Sequence, residues 1–252
     1  MQMINDFIDE IKNRLWETHL RITKLQQVVP KNIGCIVFKG KYMYWQVFEN
    51  GHRIQHYIPI REQENAQKKM EISHHQKQTL KELTQFYTKL ESVAQVFELN
   101  PQDILKEFDL AYSEQKPRSI SRQKAIETTA KKAHAEHYQF MSDKGDQVAS
   151  KSELIIANTL FASDVQYSYE EPIEIDGRTI KPDFTIWRPD GTKVLWEHAG
   201  LLDKPGYAKS FSWKLAQYEK AGFDRSDTLI VTREKDFSAF TVRRLIASYE
   251  LI

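Results

Sequence analysis

Two apolar seams on either side of a short alternating stretch constrain the front half of this chain more than any other feature. The first seam runs Ile4, Ile8, Ile11, Leu15, Thr18, Ile22 and Leu25. Steps of alternately four and three residues line one face of a long amphipathic helix. Pro30 stops it, because proline cannot extend a helix and restricts the residue before it. The second seam runs Leu80, Leu83, Tyr87, Leu90, Ala94 and Phe97, in a helix that can begin as early as Glu64. Asn100-Pro101 then reads as a cap followed by proline at the first helical position, opening a short helix through Leu110. Between the seams the sequence alternates and is rich in Ile, Val, Phe, Tyr and Trp, with Gly40 and Asn50-Gly51 at hairpin positions. This predicts a three-strand meander over 33–38, 42–48 and 53–58. Such a sheet is marginal alone and needs the helices, or a partner, over one face. The seams fit a hairpin within one chain and a coiled coil between two chains equally well, so a homodimer through these helices is also an expectation.

The chain has 252 residues, 40% of them hydrophobic, and a net charge of +1, which suits one good core with a smaller companion and excludes a disordered chain. No apolar run approaches the roughly 20 residues that cross a bilayer. MQMINDFIDE carries acids and no basic patch before an apolar block, so neither a membrane span nor a signal peptide is expected, and a cytoplasmic protein is. The single cysteine, Cys35, excludes an intrachain disulfide and a multi-cysteine zinc site.

Two basic regions stand out. Residues 115–132 carry Lys116, Arg118, Arg122, Lys124, Lys131 and Lys132 against Glu127 alone. They read either as a solvated connector or as a strip that meets phosphates. In the meander, Lys39, Lys41, His52, Arg53 and His56 lie among Tyr42, Tyr44, Trp45 and Tyr57. Either the aromatics are the sheet's core and the charges its wet face, or the two together grip a nucleic acid. The expected organisation is a helical and meander region at 1–112, a basic linker at 113–144, and an α/β domain at 145–252.

The last third carries the chemistry. Ser150 and Glu153 form a capping box before LIIANTLF, a buried helix. Two or three strands follow through Trp187, with Asp176-Gly177 as a tight turn, then a strand ending near Gly200. A helix at about 206–221, a buried strand at 228–232 and a closing helix at 238–250 complete an α/β sandwich with a mixed central sheet. Two acids interrupt apolar strands: Asp183 in KPDFTI and Glu197 at the end of VLWE. Burying an unpaired carboxylate costs on the order of several kcal/mol, and two on adjacent strands repel each other. A hard divalent cation removes that cost; edge lysines or arginines are the plainer alternative.

These residues resemble the PD-(D/E)XK nuclease superfamily: Ser152-Glu153 on a first helix, Pro182-Asp183, and Glu197 fourteen positions after Asp183. More narrowly, the chain resembles a group of uncharacterised bacterial proteins of that superfamily, matched by Ser150–Glu153, Tyr169–Pro172, Pro182–Ile186, Trp196–Gly200, and Tyr207 through Lys214 to Tyr218. The resemblance covers about 145–250 and implies a restriction-endonuclease-like core. It implies Asp183, Glu197 and the His198 backbone carbonyl as ligands of Mg²⁺ or Mn²⁺, with Glu153 reaching the site from the first helix and Ser152 and Tyr218 in support. The superfamily's lysine two residues after the acid is absent, because Ala199 stands there. Lys214 is the candidate replacement and Lys181 the second choice. The His198 ring is expected to lie on the opposite sheet face as a packed or hydrogen-bonded group.

The expected function is metal-dependent phosphodiester hydrolysis. DNA is expected over RNA, and Lys39, Lys41, Arg53, Arg118, Arg122 and Lys124 are the candidate contacts to it. A role in defence against foreign DNA follows by analogy of fold alone. The alternatives are a catalytically silent nucleic-acid-binding module and a coiled-coil assembly or regulatory protein with a nuclease-like fold.

Overall fold

The computed structural model describes residues 2–113, 139–234 and 237–252. The first seam forms α1 (Gln2–Val28) and the second α2 (Gln63–Val96). The meander lies between them as β1 (Cys35–Lys39), β2 (Tyr42–Glu49) and β3 (His52–Ile58), antiparallel throughout. The short α3 (Pro101–Ser113) follows. Ile11 and Leu15 of the first seam bury against Leu90 and Ala94 of the second, with Ile104 of α3 closing the cluster. The middle of the two seams therefore pairs within one chain.

A hairpin of β4 (Phe140–Met141) and β5 (Gln147–Val148) opens the second part and includes the end of the stretch expected to be linker. Its turn ties the two parts together. Arg21 of α1 donates two hydrogen bonds to the buried Asp143 carboxylate, at 2.8 and 2.9 Å. Gln76 of α2 donates to the Asp143 carbonyl at 2.7 Å, and the Asp143 N–H donates to the Asn158 side chain at 2.7 Å. Gly145, two residues on, has φ +99°, and a Cβ there would stand 2.6 Å from Ile72 Cγ1 of α2. Gly145→Ala combines a left-handed backbone with an overpacked contact. It is expected to destabilise the protein by roughly 2–4 kcal/mol, measured by urea denaturation.

The rest of the second part is α4 (Lys151–Ala162), β6 (Gln166–Tyr169), a separate hairpin of β7 (Ile173–Ile175) and β8 (Arg178–Ile180), β9 (Phe184–Trp187), β10 (Lys193–Ala199), α5 (Pro205–Lys220), β11 (Leu229–Arg233) and α6 (Ala239–Ser248). Asp176 (φ 49°) and Gly177 (φ 70°) turn the β7–β8 hairpin. The main sheet runs β11-β10-β9-β6; β10 and β11 are parallel and the other neighbours antiparallel. The fold is thus mixed α/β. Alternation along the strands divides its core. Val194, Trp196, Phe184, Ile186 and Ile230 face the side where Ile156 and Leu160 of α4 and Val242 and Ile246 of α6 are buried. Leu195, Ala199 and Leu229 face Phe211, Leu215 and Tyr218 of α5. Among the described residues no helix is long and apolar enough to cross a membrane.

Candidate functional site

The register of the main sheet brings the two acids together. β9 and β10 pair antiparallel as Ile186–Val194, Thr185–Leu195 and Phe184–Trp196. The next position in that register sets Asp183 directly across from Glu197. Cross-strand partners share a face, and here it is the α5 face, because Leu195 and Glu197 are two apart on one strand.

Pro182 opens the end of this ladder. In β10 the N–H and C=O of alternate residues point to alternate neighbours. Leu195 N–H bonds the Thr228 carbonyl on the β11 side, so the backbone groups of Trp196 and His198 point toward β9. Opposite His198 the register offers Pro182, which has no N–H to give. That leaves the His198 carbonyl without a ladder donor, while the His198 N–H donates to the side chain of Asp183, at Oδ2, 2.7 Å away. The His198 carbonyl is left facing the Tyr207 hydroxyl at 3.5 Å, the outer limit of a hydrogen bond.

From α5, Lys214 reaches the acids. Its Nζ lies 2.7 Å from Glu197 Oε1 and 2.8 Å from Oε2, and 3.9 Å from Asp183 Oδ1. Tyr218, one helical turn on, is fully buried and donates to Glu197 Oε1 at 2.7 Å. The buried Ala199 carries no charge into the site. Lys181, the second candidate, is exposed, and none of the hydrogen bonds or ion pairs between described residues links it to the acids.

Glu153 stands nearby but is engaged locally. As part of the capping box at the start of α4, its carboxylate accepts from the Ser150 hydroxyl at 2.8 Å, the Ala149 N–H at 3.1 Å and the Tyr169 hydroxyl at 2.5 Å. Its charge still acts on Asp183. Ser152 lies elsewhere: its hydroxyl donates to the Glu234 carboxylate, at 2.9 and 3.2 Å. That carboxylate also meets His198 Nε2 at 2.9 Å. His198 Nδ1 is 2.9 Å from the Thr232 hydroxyl, which accepts the Trp196 indole N–H at 2.9 Å. The His198 ring is therefore a buried, hydrogen-bonded group on the face opposite the acids. Of the basic candidates, Arg118, Arg122 and Lys124 lie outside the described residues, and Lys39, Lys41 and Arg53 lie on the meander.

Electrostatics set the character of the site. Burial pushes the Asp183 carboxyl well above the usual carboxylate range, and the Glu197 charge pushes it further; Lys214 and the His198 N–H pull the other way. Burial raises Glu197 too, against the opposing pull of Lys214 and Tyr218. The phenols of Tyr207 and Tyr218 are raised by burial and by these acids. Glu234 is held below the usual range by its bonds to His198 and Ser152. Asp183 and Glu197 thus share the Lys214 ammonium, with the Glu153 charge close enough to act on Asp183.

Among the described residues no three His, Cys, Asp or Glu side chains gather as a ready metal cage. Two carboxylates converge here, and the His198 carbonyl belongs to the next residue of β10. These are hard oxygens, too few to fill an octahedron, which suits an ion that keeps several of its waters, as Mg²⁺ does.

Groups whose pKa is raised on folding contribute stability below the unfolded carboxylate range, and that stability is lost as pH rises through their folded values. Without divalent metal, stability should fall with pH above about 4, and the fall should be shallower in Asp183→Asn. Mg²⁺ at about a hundred times its dissociation constant should return about 2.7 kcal/mol at neutral pH, and less in acid, because it competes with protons. Thermal melts in EDTA and in Mg²⁺ across this range check both statements.

No family model, curated protein or solved structure matches this chain.

Proposed function

We propose that this protein is a metal-dependent nuclease that hydrolyses phosphodiester bonds, with DNA as its substrate. One observation carries the reading: Asp183 and Glu197 sit across from each other at the open end of two strands and share the single ammonium of Lys214. Leaving out the separate β7–β8 hairpin, the order helix, three strands, helix, strand around the site supports the PD-(D/E)XK resemblance of residues 145–250.

Asp183, Glu197 and the His198 carbonyl would hold Mg²⁺ or Mn²⁺. When bound, the ion supplies Lewis acidity toward phosphate and a lowered pKa for a coordinated water. The chain supplies the rest. The His198 N–H fixes one Asp183 oxygen and leaves the other turned toward Lys214. Tyr218 fixes Glu197 in the same way from α5. An ion held there would take up the carboxylates' charge, and the Lys214 ammonium would then be free to face the phosphate. There it positions the attacking water and stabilises charge that builds on the phosphoryl oxygens. Glu153 adds a third negative charge, which strengthens the site's preference for a cation.

A second reading has its own observation. Both Glu197 oxygens are engaged by Lys214 and Tyr218. If Lys214 never leaves, it is a permanent counter-charge, and the domain is a catalytically silent nucleic-acid-binding module. Supercoiled plasmid and labelled single strands, incubated with Mg²⁺, Mn²⁺ or EDTA, separate the two. The nuclease cuts with either metal and not in EDTA. No cutting under any of these conditions selects the silent module.

A further inference from the structure

The meander has one face that the rest of the molecule leaves open. Alternation places Tyr42, Tyr44, Gln46 and Phe48 of β2 on it, beside Arg53, Gln55 and Tyr57 of β3 and Lys39 of β1. The opposite face carries Met43, Val47 and Ile58, all buried, together with the exposed Phe38 and Trp45, so it is only partly covered. On the open face Tyr42 exposes 48% of its surface, Phe48 57% and Tyr57 49%. Large aromatics left half in water on a short sheet are not its core.

The rings are arranged and flanked by charge. Tyr57 makes edge contacts with Tyr42 (centroids 6.0 Å apart) and Tyr44 (5.7 Å). Lys39 Nζ lies 5.5 Å from the Tyr44 ring, Lys41 Nζ 5.6 Å from Tyr42, and Arg53 Cζ 5.7 Å from Phe48. None of these cations takes part in an ion pair between described residues. No acidic residue stands on this face of the three strands; Glu49 is on the other.

We infer that this face is a binding platform for single-stranded DNA. Same-face positions on a strand are about 7 Å apart, so the rings from Tyr42 to Phe48 extend over about 20 Å, enough to meet several bases in turn. Exposed rings stack on bases only where base faces are free, which selects a single strand over a duplex. Lys39, Lys41 and Arg53 supply the positive charge that a phosphate backbone requires, with no acid to oppose it. The choice of DNA over RNA rests on the nuclease reading; the platform itself does not.

The test is fluorescence anisotropy of the full chain in EDTA, where no cleavage intrudes, with labelled oligothymidylate of about 20 nucleotides. The wild type should bind the single strand more tightly than a duplex of equal length or an oligouridylate. Phe48→Ala/Tyr57→Ala, both at exposed positions, should weaken binding about tenfold or more, with an unchanged melt. Lys39→Gln/Arg53→Gln should lower the slope of log K against log salt by roughly one and a half. Absent binding, wild-type affinity in the ring variant, or preference for duplex or RNA overturns the inference. So does a ring variant that only converts a dimer to a monomer, since the face would then join two copies of the chain. Binding by a chain that never cuts removes the nuclease reading and leaves the platform intact.

Discussion

Asp183→Asn is expected to lower Mg²⁺-dependent phosphodiester cleavage by about a thousandfold, the several kcal/mol that one lost metal ligand represents at the transition state. Asparagine keeps a carbonyl oxygen where Asp183 Oδ2 accepts the His198 N–H at 2.7 Å, so the strand ends need not move. What disappears is a buried negative charge held against burial and against Glu197. The variant should therefore melt no lower than the wild type in EDTA and lose most of the stabilisation that Mg²⁺ gives. A collapse of the fold would mean that Asp183 is a structural group, and unchanged cleavage would remove it from the site.

Lys214→Ala is expected to do damage of a different kind. Glu197 is almost fully buried and takes its charge balance from this ammonium, 2.7 Å away. Removing one partner of a buried pair costs about 3–5 kcal/mol, because the other charge is left uncompensated. The loss should be greatest in EDTA at neutral pH. It should be relieved by Mg²⁺ or by acid, either of which neutralises the two carboxylates. Cleavage should stay low even when metal restores the fold, which separates a role at the phosphate from a role in stability. Lys214→Arg should recover stability better than cleavage, since a planar guanidinium does not reproduce a compact ammonium. Lys181→Ala, at an exposed position, should stay within about 0.5 kcal/mol of the wild type and cut normally. If Lys181→Ala abolished cleavage and Lys214→Ala did not, the roles of the two lysines would be reversed.

Much of this was legible in the chain because it is written locally. A seam of fours and threes predicts α1 and α2, Asn50-Gly51 predicts the β2–β3 turn, and Ser150 with Glu153 predicts the cap of α4. Asp183 and Glu197 stood out because charge in an apolar strand needs a physical reason. Their pairing depends on register, which sequence alone leaves open. Pro182 is the cue that explains it, as the residue that cannot close the ladder against His198. Lys214 was a candidate through its place in a helix beside Tyr218, but only packing of α5 on the sheet brings its Nζ to Glu197.

Other parts were not legible. Glu234 follows β11 with no motif around it, yet it holds His198 and Ser152 from distant elements. The one trace is alternation: Thr232 and Glu234 are two apart and so share a face at the end of a buried strand. Tyr169 and Tyr207 open two of the segments that carry the resemblance, but nothing in their local pattern assigns either of them a partner. Asp143 falls in a stretch read as linker, because its partners Arg21 and Gln76 are more than sixty residues away. Glu153 was expected to reach the metal site; its oxygens are taken up by Ser150, Ala149 and Tyr169, and it acts on Asp183 through charge.

Asp183 and Glu197 are proposed as a cation site whose counter-charge is Lys214. Its most direct test is a Mn²⁺ titration of the metal-free protein, followed by the paramagnetic resonance of the free ion, in the wild type and in Asp183→Asn/Glu197→Gln. Saturable Mn²⁺ binding by the wild type is expected, displaced by Mg²⁺ and stronger as pH rises, and lost in the double variant. Wild-type protein that takes up no Mn²⁺, or a double variant that takes up as much, would contradict it.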